Sequence, residues 1–200
     1  MKKSTPQDKN KLILASASPR RRELLKLIGV KFRVLKPTFH EFTPADTSDP
    51  ALLVKKNAIG KAKEFANAFP GATILGVDTV VAIHGQILGK PTSQADAVKM
   101  LHLISGKTHT VYTATCFVRA CPATAAAHKV QTFVDTAEVD FLPMTDKEIH
   151  AYVKTGEPMD KAGAYAIQGL GARYIKGIRG DFFTIMGLPV WRVWSRVVSS

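Results

Sequence analysis

The sequence predicts an α/β fold in which a β-sheet carries flanking helices. Segments rich in β-branched apolar residues alternate along the chain with segments whose apolar residues recur at helical spacing. The 200 residues include 46% hydrophobic residues, which is ample for a buried core. No apolar run reaches the roughly 18 residues of a membrane-spanning helix, so we expect no membrane partner.

A strand and a helix are predicted at the start of the folded region. The strand-like apolar run ends at Ala15, and the residues after it carry helix-start signals. Ser18 suits the N-cap, where its hydroxyl can accept a backbone N–H, and Pro19 suits the first helical position, where no N–H is needed. The helix is expected to end at Gly29, a residue typical of helix C-termini.

The next elements extend this alternation to the middle of the chain. A short strand is predicted at 31–36 and is followed by a polar stretch at 37–50. Apolar residues at helical spacing predict a helix over 51–68, which ends before a Pro-Gly pair. The β-branched run at 73–83 predicts a long strand.

The second half of the chain adds two long strands and three helices. Residues 108–119 and 129–141 alternate polar and apolar side chains, as antiparallel strands do, and the Ala-rich connection at 120–128 is predicted to be an exposed excursion. Thr145 and Glu148 have the spacing of a capping box. The helices are predicted at 94–104, 145–155 and 189–198.

The N-terminus and the cysteines bear on the cellular compartment. Residues 1–10 are polar and charged without the apolar centre of a signal peptide, so they are predicted to be a disordered leader. Cys116 and Cys121 lack C-x-x-C spacing and lie in no Cys/His cluster. Both are therefore expected to be reduced thiols of a cytoplasmic protein.

The charge of the chain points to an anionic partner. Its 28 Lys and Arg residues exceed its 16 Asp and Glu residues, which gives a formal net charge of +12. Such a balance suits nucleic acid or a phosphorylated small molecule. The basic residues are spread along the chain without a basic tail, which disfavours a dedicated nucleic-acid binder.

The first turn of the first helix carries three consecutive arginines, Arg20, Arg21 and Arg22. Cations at a helix N-terminus oppose the helix dipole by about 0.3–1 kcal/mol each, so a purely structural turn would favour Asp or Glu. Unpaired backbone N–H groups, small hydroxyl residues and several arginines at one point indicate an anion site, in particular for phosphate. The alternative is a solvated basic turn without a ligand.

Asp78 interrupts the otherwise apolar run at 73–83. A carboxylate inside a buried strand is strongly disfavoured unless it pairs with a cation or binds a metal. The structural alternative is an aspartate that caps a bend after Gly76. The functional alternatives are a metal ligand, a general base, or both.

Weaker signals come from residues whose types suit phosphate or nucleobase binding. Lys90, between Gly89 and Pro91, is a point charge suited to phosphate, although most surface lysines are only solvated. The segment at 156–169 combines two acids, a lysine and several glycines, as in a ligand-binding turn or a tight loop with an internal Asp–Lys pair. Its Gln168 has the paired donor and acceptor that can read a base edge.

Together these signals suggest metal-assisted chemistry on a phosphorylated ligand. Mg²⁺ commonly binds one or two carboxylates plus substrate phosphates and water, which requires no Cys or His. The chain lacks the G-x-x-x-x-G-K-[ST] motif, so it is not an ordinary P-loop enzyme. From residue type alone, Glu41 is an acid of a polar loop and Lys61 is one of several lysines on a helix.

Six motifs resemble those of the Maf family, in the family's order and over nearly the whole chain after residue 10. They are Ser-Ala-Ser-Pro-Arg-Arg at 16–21, Gly-Val-Asp-Thr-Val-Val at 76–81, Gly-Lys-Pro at 89–91, Ser-Gly-Lys-Thr-His at 105–109, Gly-Glu-Pro-Met-Asp-Lys-Ala-Gly at 156–163 and Gly-Leu-Pro-Val at 187–190. Because several long motifs occur in register, residues 11–200 are identified as a single domain of this family.

The resemblance implies a nucleoside triphosphate pyrophosphatase, which splits its substrate into the monophosphate and pyrophosphate with Mg²⁺ or a similar ion such as Mn²⁺ or Co²⁺. It implies a fold similar to that of inosine triphosphatases, a long, twisted, mixed sheet with two lobes around the nucleotide cleft, often in a homodimer. The segment at 160–169 is similar to the branch that acts on dTTP and UTP. Two alternatives stay open: a pyrophosphatase for 7-methyl-GTP or other modified nucleotides, and a non-enzymatic protein that binds nucleic acid or regulates cell division.

The resemblance also implies roles for individual residues. Asp78 matches the family's catalytic acid, a proton acceptor close to the metal, and Glu41 falls where the family has a second metal-linked acid. Ser16 and Ser18 match serines of the loop before the first helix. The phosphate-contacting positions are Arg20, Arg21, Lys61 and Lys90. The positions tied to the choice of nucleotide are Arg20, Thr79 and Gln168.

Overall fold

A seven-stranded mixed β-sheet forms the centre of the computed structural model, which describes residues 12–119 and 128–198. Its strands are β1 (Leu12–Ala15), β2 (Phe32–Leu35), β3 (Thr73–Ile83), β4 (Gln86–Leu88), β5 (Thr108–Arg119), β6 (Lys129–Phe141) and β7 (Ile175–Gly180). Their spatial order is β2-β1-β3-β5-β6-β7, with β4 paired to β3. β1 runs parallel to β2 and β3, and the other pairs are antiparallel. The predicted α/β fold with a mixed sheet is confirmed.

Six α-helices flank this sheet within the described ranges. They are α1 (Pro19–Leu27), α2 (Pro50–Lys63), α3 (Gln94–Ile104), α4 (Asp146–Lys154), α5 (Phe182–Met186) and α6 (Val190–Val198). Three short 3-10 turns follow α4, at Glu157–Asp160, Ala162–Ala164 and Leu170–Tyr174. Over the same residues, no helix combines the length and apolar character needed to cross a membrane. The predicted leader at 1–10 and residues 120–127 of the predicted excursion lie outside the described residues.

The helix ends follow the predicted signals with two differences. Ser18 occupies the N-cap position of α1, but no capping bond from its hydroxyl is found among the described residues, and its backbone N–H donates to Ser16 Oγ at 3.2 Å. The predicted helix over 51–68 ends earlier, at Lys63, because the chain then tightens into turns with i to i−3 hydrogen bonds on its way to Pro70. Thr145 and Glu148 form the predicted capping box.

Alternate side chains of β1 enter two different hydrophobic layers. Ile13 and Ala15 pack with the apolar face of α2, whereas Leu12 and Leu14 pack with α1 and α6. All four are buried, since the strand has a neighbour on each side and helices on both faces.

The C-terminal halves of β3 and β6, together with the N-terminal half of β5, pack into a separate core. Val81, Val111 and Val139 pack there with residues of α3 and α4. Asp78 and Thr79 therefore lie on β3 where this core meets the layers around β1. The arrangement matches the predicted pair of lobes around a cleft.

Gly76 lets helix α2 approach strand β3 closely. A Cβ at this position would lie 2.1 Å from the Ala58 carbonyl oxygen and 2.9 Å from the Ala62 Cβ. Ala58 and Ala62 are themselves small and fully buried. The contact holds the second half of α2, which carries Lys61, against the strand that carries Asp78.

His109 is a buried imidazole on β5 whose titration should affect stability. Its Nε2 lies 2.8 Å from the Tyr165 hydroxyl, and its Nδ1 has no hydrogen-bond partner within the described ranges. Burial lowers the pKa of His109 from 6.5 to about 4, despite the nearby Asp140 carboxylate. The imidazole is therefore neutral in the folded protein at pH 7.

The free energy of unfolding is expected to fall as the pH drops from 6.5 towards 4, because the unfolded imidazole takes up its proton first. Between pH 7 and pH 5, protonation of His109 is expected to lower the free energy of unfolding by about 2 kcal/mol. Urea unfolding should show that His109→Gln loses this component, while His102→Gln, at an exposed position of α3, keeps it. An equal pH dependence in wild type and His109→Gln would contradict the assignment.

Candidate active site

A cleft of about 550 Å³ opens between the two lobes, beside the middle of β3. All the site residues predicted from the sequence, except Ser16, line it. They are Ser18, Arg20, Arg21, Glu41, Lys61, Asp78, Thr79, Lys90 and Gln168. Ser16 lies just behind the wall, where its Oγ accepts a hydrogen bond from Arg21. Residues far apart in sequence thus converge on one cavity.

The Asp78 carboxylate is buried and has a partner for each oxygen. Oδ1 lies 2.7 Å from Lys61 Nζ, and Oδ2 accepts a hydrogen bond of 3.0 Å from Asn57 Nδ2. Strand β3 runs through this position with unbroken pairing to β5, so the interpretation of Asp78 as the cap of a bend is wrong. Its carboxylate instead faces the cleft, where a cation offsets the loss of hydration.

Lys61 holds two carboxylates together. Its ammonium lies 2.7 Å from Asp78 Oδ1 and 3.0 Å from Glu41 Oε1. The Lys61 side chain is 6% exposed, whereas that of Glu41 is 53% exposed and reaches in from the loop before α2. An ammonium has three donors, so one N–H of Lys61 remains for a ligand.

Asn57 is a site residue that the sequence analysis missed. It lies one helical turn before Lys61 and is 2% exposed. Its amide pairs with both backbone groups of Phe42, accepting from N–H at 2.7 Å and donating to C=O at 3.0 Å, while it also donates to Asp78. The available signal was a polar residue on the apolar face of a helix.

The loop that carries Glu41 is fastened to the same face of α2. The Phe39 ring covers Gly60, where a Cβ would lie 2.2 Å from Phe39 Cζ. The Glu64 carboxylate accepts the backbone N–H groups of Thr38 and Phe39 at 2.9 and 3.0 Å. These contacts explain how an exposed loop places Glu41 beside a buried lysine.

Most of the guanidinium N–H groups of Arg21 donate hydrogen bonds to other groups of the protein. Nε donates to Gly187 O at 3.0 Å, Nη1 donates to Val77 O and Ser16 Oγ at 3.0 and 3.2 Å, and Nη2 donates to Thr79 Oγ1 at 3.2 Å. Burial lowers the pKa of Arg21 to about 10, which still leaves it charged at neutral pH. Of the five guanidinium N–H groups, one is left for a ligand.

Arg20 instead spans the cleft. Its Nη1 donates to Asp160 Oδ2 at 3.1 Å and its Nη2 to the Asp160 carbonyl at 3.2 Å. The other Asp160 carboxylate oxygen contacts the Lys161 ammonium, so the Asp–Lys pair considered for this segment is present. Asp160 therefore pairs with two cations, Lys161 and Arg20. Arg22, by contrast, is exposed and does not line the described part of the cleft.

Two glycines join the wall that carries Lys90 to the wall that carries Lys161. The Gly163 N–H donates to Gly89 O at 3.0 Å. Gly163 has φ +70°, and a Cβ there would lie 2.8 Å from Val81 Cγ2, so both its conformation and its surroundings favour glycine. Lys90 is exposed, with no ion-pair partner among the residues described. Its charge is available to an anionic ligand.

Glu157, the other acid of the 156–169 segment, supports the fold. Its Oε1 accepts from the Tyr152 hydroxyl at 2.7 Å and from Gly171 N at 3.0 Å, and its Oε2 accepts from Leu170 N at 2.9 Å. These contacts tie the first and last 3-10 turns together. The two acids of this motif therefore separate, with Asp160 in the cleft and Glu157 behind it.

The cleft lining is part charged and part apolar. Tyr165, Ile167, Ile185 and Met186 contribute apolar surface to it. Lysines, arginines and carboxylates line the same cleft. A ligand with a charged part and a flat, weakly polar part suits such a division.

The chemistry of the two carboxylates fits a divalent cation. Glu41 and Asp78 already converge on one positive group, the Lys61 ammonium, so their oxygens face a common point. The structure contains no group of three or more His, Cys, Asp or Glu side chains suited to a metal, as far as the residues described extend. A pair suffices for Mg²⁺ when substrate phosphates complete its coordination.

Comparison with known proteins gives the following matches. A family model described as Maf-like protein matches residues 11–198. A dTTP/UTP pyrophosphatase of Bacillus cereus strain AH820 is 43% identical over 183 residues, 92% of each chain. Another, from B. cereus strain ATCC 10987, is 42% identical and covers 94% of this chain and 88% of its own. A solved nucleoside-triphosphatase (dITP/XTP pyrophosphatase) of Mycobacterium abscessus aligns over 94% of this chain and 95% of its own, with 16% identity and a TM-score of 0.44.

Proposed function

The chain belongs to the Maf family, and from this premise we propose that it is a pyrophosphatase that hydrolyses dTTP and UTP to the monophosphate and pyrophosphate. The observation that carries the proposal is the cleft, whose lining combines a buried carboxylate, several cations and apolar side chains. Relatives named dTTP/UTP pyrophosphatase support the choice of nucleotide.

In the proposed reaction a water molecule attacks the α-phosphorus. A bond forms between the water oxygen and the phosphorus, the bridge to the β-phosphate breaks, and pyrophosphate leaves with the bonding electron pair. Asp78 orients the water and accepts its proton. Lys61 and Asn57, each bonded to one Asp78 oxygen, hold the carboxylate in a single orientation for this task.

The cations of the cleft are proposed to bind the triphosphate. Arg20 and Lys90 have charges that a phosphate can reach, since Lys90 is exposed and the side chain of Arg20 bonds to Asp160 alone within the described part of the chain. Lys61 contributes its remaining N–H. Arg21 has one donor left and is proposed mainly to position Ser16 and Thr79. Charge-assisted hydrogen bonds from these cations to the phosphates would stabilise the transition state, in which negative charge spreads over the phosphate oxygens.

Glu41 and Asp78 are the residues proposed to hold a divalent cation, Mg²⁺ or a similar ion. When bound, such an ion offsets the negative charge of the phosphates. Lys61 keeps the two carboxylates close to each other, which lowers their mutual repulsion. The family resemblance further leads us to propose a homodimer in the cytoplasm, which sedimentation and localisation measurements can test.

Pyrophosphate release measured over a panel of nucleotides with Mg²⁺ tests the proposed function. We expect UTP and dTTP to be hydrolysed with the highest kcat/KM, because two relatives of this chain are named dTTP/UTP pyrophosphatase. Faster hydrolysis of 7-methyl-GTP would overturn the specificity. Salt-sensitive binding of DNA or RNA without any hydrolysis would instead favour the non-enzymatic alternative.

A further inference from the structure

A chain of hydrogen bonds runs behind the wall of the cleft through two threonine hydroxyls. Arg21 Nη2 donates to Thr79 Oγ1 at 3.2 Å, Thr79 Oγ1 lies 3.0 Å from Thr113 Oγ1, and Thr113 Oγ1 donates to the Thr184 carbonyl at 2.8 Å. The two ends have fixed polarity, since a guanidinium can only donate and a carbonyl can only accept.

The polarity of the middle bond follows from these ends. Each threonine hydroxyl has one hydrogen, and Thr113 uses its hydrogen on the Thr184 carbonyl. Thr79 must therefore donate to Thr113, while it accepts from Arg21. What Thr79 can still offer a ligand is one lone pair, so it faces the cleft as an acceptor only.

An acceptor cannot bind an ionised phosphate, whose oxygens are acceptors as well. A ligand group that hydrogen-bonds directly to Thr79 must therefore carry an N–H or O–H. Ile185 and Met186 lie in α5 between the Thr184 carbonyl and Gly187, and both line the cleft. Gly187 adjoins the same hydroxyl, since a Cβ there would lie 3.2 Å from Thr79 Oγ1. The surroundings suit a flat base rather than the phosphates.

The geometry points to Thr113 as a positioning residue that holds Thr79 as the acceptor for the N3–H of a uracil or thymine ring. This inference rests on the proposed function. Uracil and thymine carry a donor at N3, whereas cytosine carries an acceptor there. Cytosine would place two lone pairs against each other, and the bond chain leaves the Thr79 hydroxyl unable to turn and donate.

Thr113 can be replaced without removing a contact to the substrate, because it lies behind Thr79 and outside the described lining of the cleft. It is fully buried. Thr115, two residues further on the same strand, is also fully buried, and its hydroxyl has no partner among the described residues. Thr115→Val is therefore a matched control for Thr113→Val, with the same atoms changed and no bond lost.

The experiment compares kcat/KM for UTP and CTP in wild type, Thr113→Val, Thr113→Ser and Thr115→Val. Wild type is expected to prefer UTP. Thr113→Val should lower the UTP/CTP ratio about tenfold, because the freed Thr79 hydroxyl can then donate to cytosine N3. Thr113→Ser keeps the bonding hydroxyl and should restore the ratio, and Thr115→Val should leave it unchanged.

Each outcome has a distinct meaning. An unchanged UTP/CTP ratio in active Thr113→Val overturns the inference, and it is also the result expected if Thr79 accepts a ribose hydroxyl, which both substrates share. Should Thr113→Val fail to fold, Thr79→Val must lose the UTP preference, and retention of that preference overturns the inference. Wild type that hydrolyses neither UTP nor dTTP would contradict the proposed function itself.

Discussion

Replacement of Asp78 by asparagine is expected to lower kcat for UTP by a factor on the order of 10²–10⁴, the range typical for loss of a general base. Asparagine keeps the shape of the side chain and one acceptor oxygen, but it cannot take up the proton of the attacking water. Steady-state pyrophosphate release checks the result. Asp140→Asn is the matched control, since Asp140 lies on β6 and does not line the described part of the cleft. This variant should keep kcat near the wild-type value.

The Asp78→Asn variant also removes one partner of a buried ion pair, so its folding must be measured. Loss of such a partner costs up to about 3–5 kcal/mol, and here Glu41, 3.0 Å from the Lys61 ammonium, reduces that cost. The double variant Asp78→Asn/Lys61→Met also removes the ammonium that has lost its buried partner, and it should regain stability in urea unfolding while staying inactive. Near-normal turnover in folded Asp78→Asn protein would exclude the proposed role.

Gly76→Ala is expected to be the most damaging small substitution in the fold. The new Cβ would lie 2.1 Å from the Ala58 carbonyl oxygen, a backbone atom that cannot rotate away. Helix α2 must move off the sheet, with an expected loss of about 3 kcal/mol in the free energy of unfolding. The same movement displaces Asn57 and Lys61 from Asp78, so kcat should fall by about 10²-fold as well.

Urea unfolding and kcat measured on the same preparations check this prediction. Gly177→Ala is the matched control, because its nearest atom would be Asp140 Oδ2 at an ordinary 3.8 Å. Its free energy of unfolding should stay within about 0.5 kcal/mol of wild type. A Gly76→Ala protein as stable and active as Gly177→Ala would show that α2 can shift without consequence.

Much of the fold is predictable from local patterns. The β-branched run that becomes β3 and the alternating runs that become β5 and β6 have the predicted bounds, since their periodicity and turn residues are local signals. The end of α2 was predicted wrongly, five residues too late. Helical spacing continues there, but turns leading to Pro70 end the helix, and the competition between the two is not visible in the spacing.

The candidate site is predictable as a set of residues more than as a set of contacts. The arginines at the start of α1 look equivalent in sequence, yet Arg21 is enclosed by Gly187 and Thr79 while Arg20 reaches Asp160. Asn57 carries no motif, and its importance follows only from its bonds to Phe42 and Asp78. Such contacts join residues far apart in the chain, so local patterns cannot report them.

The sequence by itself determined the alternation of strands and helices, the basic first turn of α1 and the presence of a charged residue, Asp78, inside a buried strand. These are properties of neighbouring residues, which act through helix dipoles, side-chain periodicity and desolvation. Only the tertiary structure decided which groups pair. It placed Lys61 between two carboxylates and gave Thr79 a fixed hydrogen-bond polarity through Thr113 and Thr184. The physical reason is that a hydrogen bond or ion pair depends on distances of about 3 Å between groups that the fold, not the chain order, brings together.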